Sequence, residues 1–223
     1  MMSDRILVIS DKVATTLYNP ATQKELQDIR FIISCGDLPY EYLEYLVSIF
    51  NVPLYFVRGN HARLYETESG VIHQHPWGSI DLHLRSIKNE MGYLLAGIQG
   101  CQLYNNGAYQ YSQATMWRFV FQLVPSLMAN FALSGRYLDI FVTHAPPWGI
   151  HDKQDIPHQG IKAFLWLLKV FQPRYHFHGH VYDFTKNTPM ITQFGNTAII
   201  NTYGYRLHDI ARNDSVGKKD ENE

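Results

Sequence analysis

The chain has 223 residues, 46% hydrophobic and 17% charged, which is enough for one sizeable core in a single domain. Its net charge of −1 gives no electrostatic footprint for nucleic acid or an anionic membrane. No apolar run reaches the ~18–20 residues of a membrane span, and the opening MMSDRILVIS lacks the pattern of a secretory signal. The two cysteines, Cys35 and Cys101, read as buried thiols of a cytoplasmic protein rather than a disulfide framework.

In chain order, RILVIS (Arg5–Ser10) is a short branched apolar run and reads as a buried strand. PATQKELQDI (Pro20–Ile29) suits a helix, FIISC (Phe31–Cys35) a second strand, YEYLEYLVSIF (Tyr40–Phe50) a helix and PLYFV (Pro53–Val57) a third strand. That alternation implies parallel pairing through right-handed crossovers. SIDLHLRSI (Ser79–Ile87) alternates like one strand, with YLLAGIQG (Tyr93–Gly100) as its antiparallel neighbour. Ser112–Leu133 is a long aromatic helical stretch that Pro125 is expected to kink or divide.

LDIFVTH (Leu138–His144) and RYHFHGH (Arg174–His180) are further strands, with the amphipathic helix Gly160–Phe171 between them. Met190–Arg206 reads as a hairpin turning near Gly195-Asn196. Residues 1–210 are expected to form one domain, and 211–223 a disordered tail. Early parallel and late antiparallel pairing together suggest two sheets face to face with helices outside.

Polar clusters fall at the ends of five of these strands. They are Asp11, Gly36-Asp37, Gly59-Asn60-His61, His144 and Gly179-His180. The carboxyl ends of strands in α/β sheets line the ligand crevice, so the five point to one place. Two Asp, one Asn and two His form an O/N donor set suited to Mn, Fe, Zn or Co. Taken singly, each has a plainer reading: Asp11 or Asp37 as a helix cap, Gly-Asn-His as a turn, the histidines as hydrogen-bonded core.

In this order the clusters, with VRGNH (Val57–His61), VTHAPPWGIHD (Val142–Asp152) and FHGH (Phe177–His180), resemble the calcineurin-like metallophosphoesterases from Arg5 to about Arg206. The resemblance implies a four-layer α/β/β/α sandwich and hydrolysis of phosphate mono- or diesters. It also implies a dinuclear centre in which a hydroxide between metals roughly 3.5–4 Å apart attacks in line. Carried onto this sequence, Asp37 would bridge, with Asn60, His144 and His180 filling one metal site and Asp11 serving the other. His61 would protonate the leaving oxygen or stabilise phosphoryl charge.

Three positions depart from the family pattern. Val13 and Tyr182 stand where histidines of the first metal site are expected, and Ala62 where an acidic partner of His61 is expected. GDLPY (Gly36–Tyr40) has the Gly-Asp-x-x-Tyr spacing of purple acid phosphatases. Tyr40 therefore reads either as a phenolate ligand replacing the lost histidine or as part of an aromatic helix face with Tyr42 and Tyr45. Tyr182 reads as a weak ligand, a water contact or a filler.

His178, on the same strand face as His176, reads as a donor behind the site or as a strand histidine. His151, Asp152 and His158 lie on a loop that either reaches substrate or is merely polar. The functions implied are a metal-dependent phosphoesterase or, given the lost histidines, a binding or scaffold module on that fold. The substrate class is a phosphate ester of unknown identity, neither membrane nor nucleic acid is indicated as a partner, and homo-oligomerisation stays open.

Overall fold

The computed structural model describes residues 3–62, 65–66, 72–73, 75–182 and 190–211. The expected tail beyond Ala211 lies outside them. Two mixed sheets pack face to face between two helical layers. The first has the strand order β15-β1-β2-β3-β6, with β1 Ser3–Ser10, β2 Ile32–Ser34, β3 Leu54–Phe56, β6 Ser79–Asp81 and β15 Gly204–Ala211. The second has the order β13-β14-β12-β11-β8-β7, with β7 Ser86–Lys88, β8 Leu94–Ile98, β11 Ile140–Thr143, β12 Tyr175–His178, β13 Ile191–Phe194 and β14 Thr197–Asn201. Two short pairs complete the strands among the described residues: β4 (Tyr65–Glu66) antiparallel to β5 (Ile72–His73), and β9 (Cys101–Gln102) parallel to β10 (Gln110–Tyr111).

Side-chain alternation builds the layers. In β1, Ile6 and Val8 enter the core between the sheets, where they meet Ile33, Leu95, Ile140, Val142, Phe177 and Ile200. Their neighbours Leu7 and Ile9 face outward onto α2 (Tyr40–Phe50), which buries Tyr40, Leu43 and Leu46. On the other side Leu94, Ala96, Ile98 and Phe141 lie under α3 (Gln113–Ser134) and α4 (Lys162–Phe171). Both faces of each sheet are covered, so the central strands read as continuous apolar runs rather than alternating ones.

Four expectations need correction. The helix expected over Pro20–Ile29 ends as α1 at Glu25, where Leu26 leaves helical geometry. The strand expected over Ser79–Ile87 is two strands in different sheets. Leu82 N–H donates to the Phe56 carbonyl of the first sheet, and two residues later Leu84, with φ 56°, donates to the Gly97 carbonyl of the second. Period-two alternation cannot reveal such a crossing, because both halves alternate. Pro125 does not divide α3, which runs unbroken. The bond Pro125 cannot make lies on the exposed side of the helix, where both Phe121 and Pro125 are open to solvent. The hairpin at Gly195-Asn196 is present as β13–β14, but Gly204 onward leaves it and pairs antiparallel with β1 in the other sheet.

Candidate metal centre

The crossover topology brings the carboxyl ends of β1, β2, β3, β11 and β12 to one edge of the sandwich. Asp11, Asp37 and His180 take left-handed backbone angles there, with φ of 61°, 57° and 69°. Such angles are uncommon for residues other than glycine, and such strain gathers at functional sites. The glycines permit the close approach. A Cβ on Gly59 would lie 2.0 Å from Asp37 Oδ1, and one on Gly179 would lie 2.4 Å from Asp11 Oδ2.

Four side-chain atoms converge. His144 Nε2 lies 3.0 Å from Asn60 Oδ1, 3.1 Å from Asp37 Oδ2 and 3.0 Å from His180 Nδ1. The ligand atoms of Asp37, His144 and His180 all lie within 4.8 Å of one another. Backbone carbonyls set both imidazole tautomers. His144 Nδ1–H donates to the Cys35 carbonyl at 2.8 Å, and His180 Nε2–H to the Pro157 carbonyl at 2.7 Å. Asn60 Nδ2 donates to the Tyr104 hydroxyl at 3.2 Å, which aims its oxygen inward. Two imidazole nitrogens, an amide oxygen and a carboxylate oxygen therefore face one point. Such a set is stable around a cation, a metal ion or a proton, and repulsive without one.

Electrostatics agree with the geometry. Burial opposes charge on His144, yet Asp37 and Asp11 together raise its pKa to about 9, so a proton balances the cluster in the metal-free protein. Burial, reinforced by His144, lowers His180 to about 3. Burial acts to raise Asp37, but His144 and the His61 N–H hold it below the usual carboxylate range. Asp11 is raised by burial, against the opposing pull of His144. These donors fit a transition-metal ion of intermediate hardness.

At the first-site positions fewer donors gather: among the described residues the grouped ligand atoms are those of Asp37, His144 and His180. Asp11 Oδ2 accepts from the His180 N–H at 2.9 Å. Val13 and Tyr182 line a cleft of about 770 Å³ beside Asp11, and the Tyr182 ring lies 4.5 Å from that of Tyr203. The electrostatic partners of the Tyr40 phenol include Arg58, Tyr109 and Asp81, which lie outside the cluster. Burial raises its pKa against the Arg58 charge, which disfavours a phenolate.

His61 is exposed at the rim, and its backbone N–H donates to Asp37 Oδ1 at 2.8 Å. Asp152 accepts from Gly149 N–H and Gly160 N–H, both at 3.0 Å, and so organises its loop rather than joining the cluster. His158 pairs with Asp155, and its ring lies 5.3 Å from that of His180. Tyr104, Tyr203 and the Cys35 and Pro157 carbonyls belong to no motif. Backbone carbonyls leave no residue-type signal, and the two tyrosines arrive from distant parts of the chain.

Behind the cluster a relay of neutral histidines fixes the loop bearing His180. The Thr192 hydroxyl donates to His151 Nε2 at 2.8 Å, His151 Nδ1–H to His178 Nε2 at 2.9 Å, and His178 Nδ1–H to the Gly179 carbonyl at 3.1 Å. His176 Nε2–H donates to Thr143 Oγ1 at 2.8 Å. Burial lowers His151 to about 4 and His176 to about 3. The folded values lie below the unfolded value of about 6.5, so the unfolded chain takes up the protons. Stability is then full above pH ~6.5 and falls as the pH drops. His176 alone removes roughly 2 kcal/mol between pH 7 and pH 5. Denaturant midpoints at the two pH values check this; equal midpoints would contradict it.

Among curated proteins none matches the chain. One solved structure superposes with a TM-score of 0.61 at 15% identity, covering 93% of this chain and 95% of its own. A protein of Thermus thermophilus gives 0.57 at 16%, covering 93% and 98%. GAP50, the anchor in the inner membrane complex of Plasmodium, gives 0.53 at 14%, covering 94% and 81%. At these identities the likeness speaks for the fold alone. The sequence profile of the family described as calcineurin-like phosphoesterase matches residues 5–184. Those residues span all five strand ends that build the cluster, and the chain belongs to the calcineurin-like phosphoesterase family.

Proposed function

We propose that this protein is a metal-dependent phosphoesterase working from one complete metal site formed by Asp37, Asn60, His144 and His180. The observation that carries the reading is the pair of imidazole nitrogens at 3.0 Å, each ring fixed by a backbone carbonyl, with His144 Nε2 also 3.0 Å from Asn60 and 3.1 Å from Asp37. An ion held there would supply positive charge against phosphoryl oxygens and would acidify a water. Asp37 supplies the negative charge that retains the ion, and Tyr104 keeps the Asn60 oxygen turned inward. His61, exposed beside Asp37, passes a proton to the departing alkoxide. With Ala62 following it, His61 has no adjacent carboxylate in sequence, so proton transfer rests on the imidazole itself. The buried thiols Cys35 and Cys101 suit a cytoplasmic setting.

The test uses p-nitrophenyl phosphate and its bis ester. Protein stripped with a chelator is assayed after return of Mn, Fe, Zn or Co singly. Hydrolysis restored by metal and lost in His144→Ala supports the reading. Protein that binds metal but cleaves neither ester would support the second reading, a binding module on this fold. That reading is favoured by Val13 and Tyr182 at the first-site positions.

A further inference from the structure

Helices α3 and α4 lie side by side over the second sheet and share its outer core. Neither contains an aspartate or glutamate, although the chain has 20. Three exposed cations, Arg118, Lys162 and Lys169, lie on them. The outer side is also apolar: Phe121 is 54% exposed, Met128 49%, Phe131 45% and Val170 47%. Phe121, Pro125, Met128 and Ala132 recur at i, i+4, i+7 and i+11, forming one stripe along α3.

An aromatic trio joins the two helices. Trp117 stacks on Phe121 at 5.5 Å and 27°, and Trp166 lies 5.6 Å and 5.5 Å from them. Helical spacing sets Arg118 beside Phe121 and Lys169 beside Trp166, while the exposed Lys162 places its ammonium 4.4 Å over the Trp148 ring. The whole-chain charge of −1 conceals this asymmetry, because the acidic residues lie elsewhere.

We propose that this face docks on the surface of an anionic lipid bilayer, with Phe121, Met128 and Trp166 at the headgroup boundary and the three cations on lipid anions. Aromatic and basic residues without acidic ones are the composition such an interface selects. A second copy fits poorly, since a two-fold contact would set the cations against themselves with no acid from either helix to pair them. A folded acidic partner would need polar groups to fix its register, and the stripe offers few; a fluid surface needs none. Each cation is worth about a fivefold change in partitioning, so the three together are worth about a hundredfold.

The test is co-sedimentation of the full chain with phosphatidylcholine vesicles, with and without about one quarter phosphatidylserine. Binding should appear with phosphatidylserine, fall by about a hundredfold at ~0.5 M salt, and be lost in Phe121→Glu/Met128→Glu. Both replaced side chains are exposed and far from the metal ligands in sequence, and the variant's metal content should equal that of the unaltered protein. Three results would each overturn the proposal. One is no sedimentation on anionic vesicles, and another is equal sedimentation on neutral ones. The third is a dimer in analytical ultracentrifugation that the double variant dissolves while vesicles are ignored, which would assign the face to a second copy.

Discussion

His144→Ala should empty the metal site. Its Nε2 is the atom that Asp37, Asn60 and His180 all approach within about 3 Å, and its Nδ1 ties the cluster to the Cys35 carbonyl. Removing the imidazole takes away one donor and the anchor that spaces the other three. Loss of even an outer-shell partner of a metal ligand lowers affinity about 10–100-fold, so loss of the ligand itself should exceed about a hundredfold. Hydrolysis should fall to background with it. The metal-free variant also leaves the Asn60 and Cys35 oxygens without their donor, a cost of roughly 1–3 kcal/mol for each buried group left unsatisfied. Metal content by elemental analysis, with far-UV circular dichroism to establish folding, checks the prediction. A folded variant that retains metal and turnover would refute the ligand assignment.

Val13→His/Tyr182→His should raise the metal content from about one to about two per chain. Both positions line the cleft with Asp11, and the Asp37 charge is close enough to act on Asp11. Two imidazoles added to that wall would give an O/N set like the one across Asp37. Tyr182→His alone should give partial occupancy, since it adds only one of the two donors. The double variant should also show faster ester hydrolysis. Titration with Mn or Zn, followed by calorimetry, checks the stoichiometry. No second site in the folded variant would mean that Tyr203 and its neighbours have remodelled the cleft beyond what two histidines restore.

Much of this was legible in the sequence because the informative features are local. Short branched runs ending in Asp, Gly-Asp, Gly-Asn-His or Gly-His mark a strand and its carboxyl end together, and five such ends implied convergence. Asp37, Asn60, His144 and His180 do converge. The alternation that places Ile6 and Leu7 in different layers was equally readable. What local patterns could not give were features set by tertiary context. The step of Ser79–Lys88 between sheets, the return of β15 to β1 and the carbonyls that fix the histidine tautomers all depend on residues distant in sequence. Tyr40 shows the limit of spacing as evidence: it stands at the ligand spacing of one branch of the family, yet its phenol lies with Arg58. Net charge is likewise an average, and it does not register that α3 and α4 carry no acidic residue.

Elemental analysis of the untagged protein, purified without chelators, tests the central claim most directly. The geometry predicts about one transition-metal ion per chain, lost in His144→Ala and kept in Tyr40→Phe. Absence of bound metal after exposure to Mn, Fe, Zn and Co would contradict it. Two ions including iron, with a visible absorption band that Tyr40→Phe removes, would instead place Tyr40 in a first metal site and overturn the single-ion assignment.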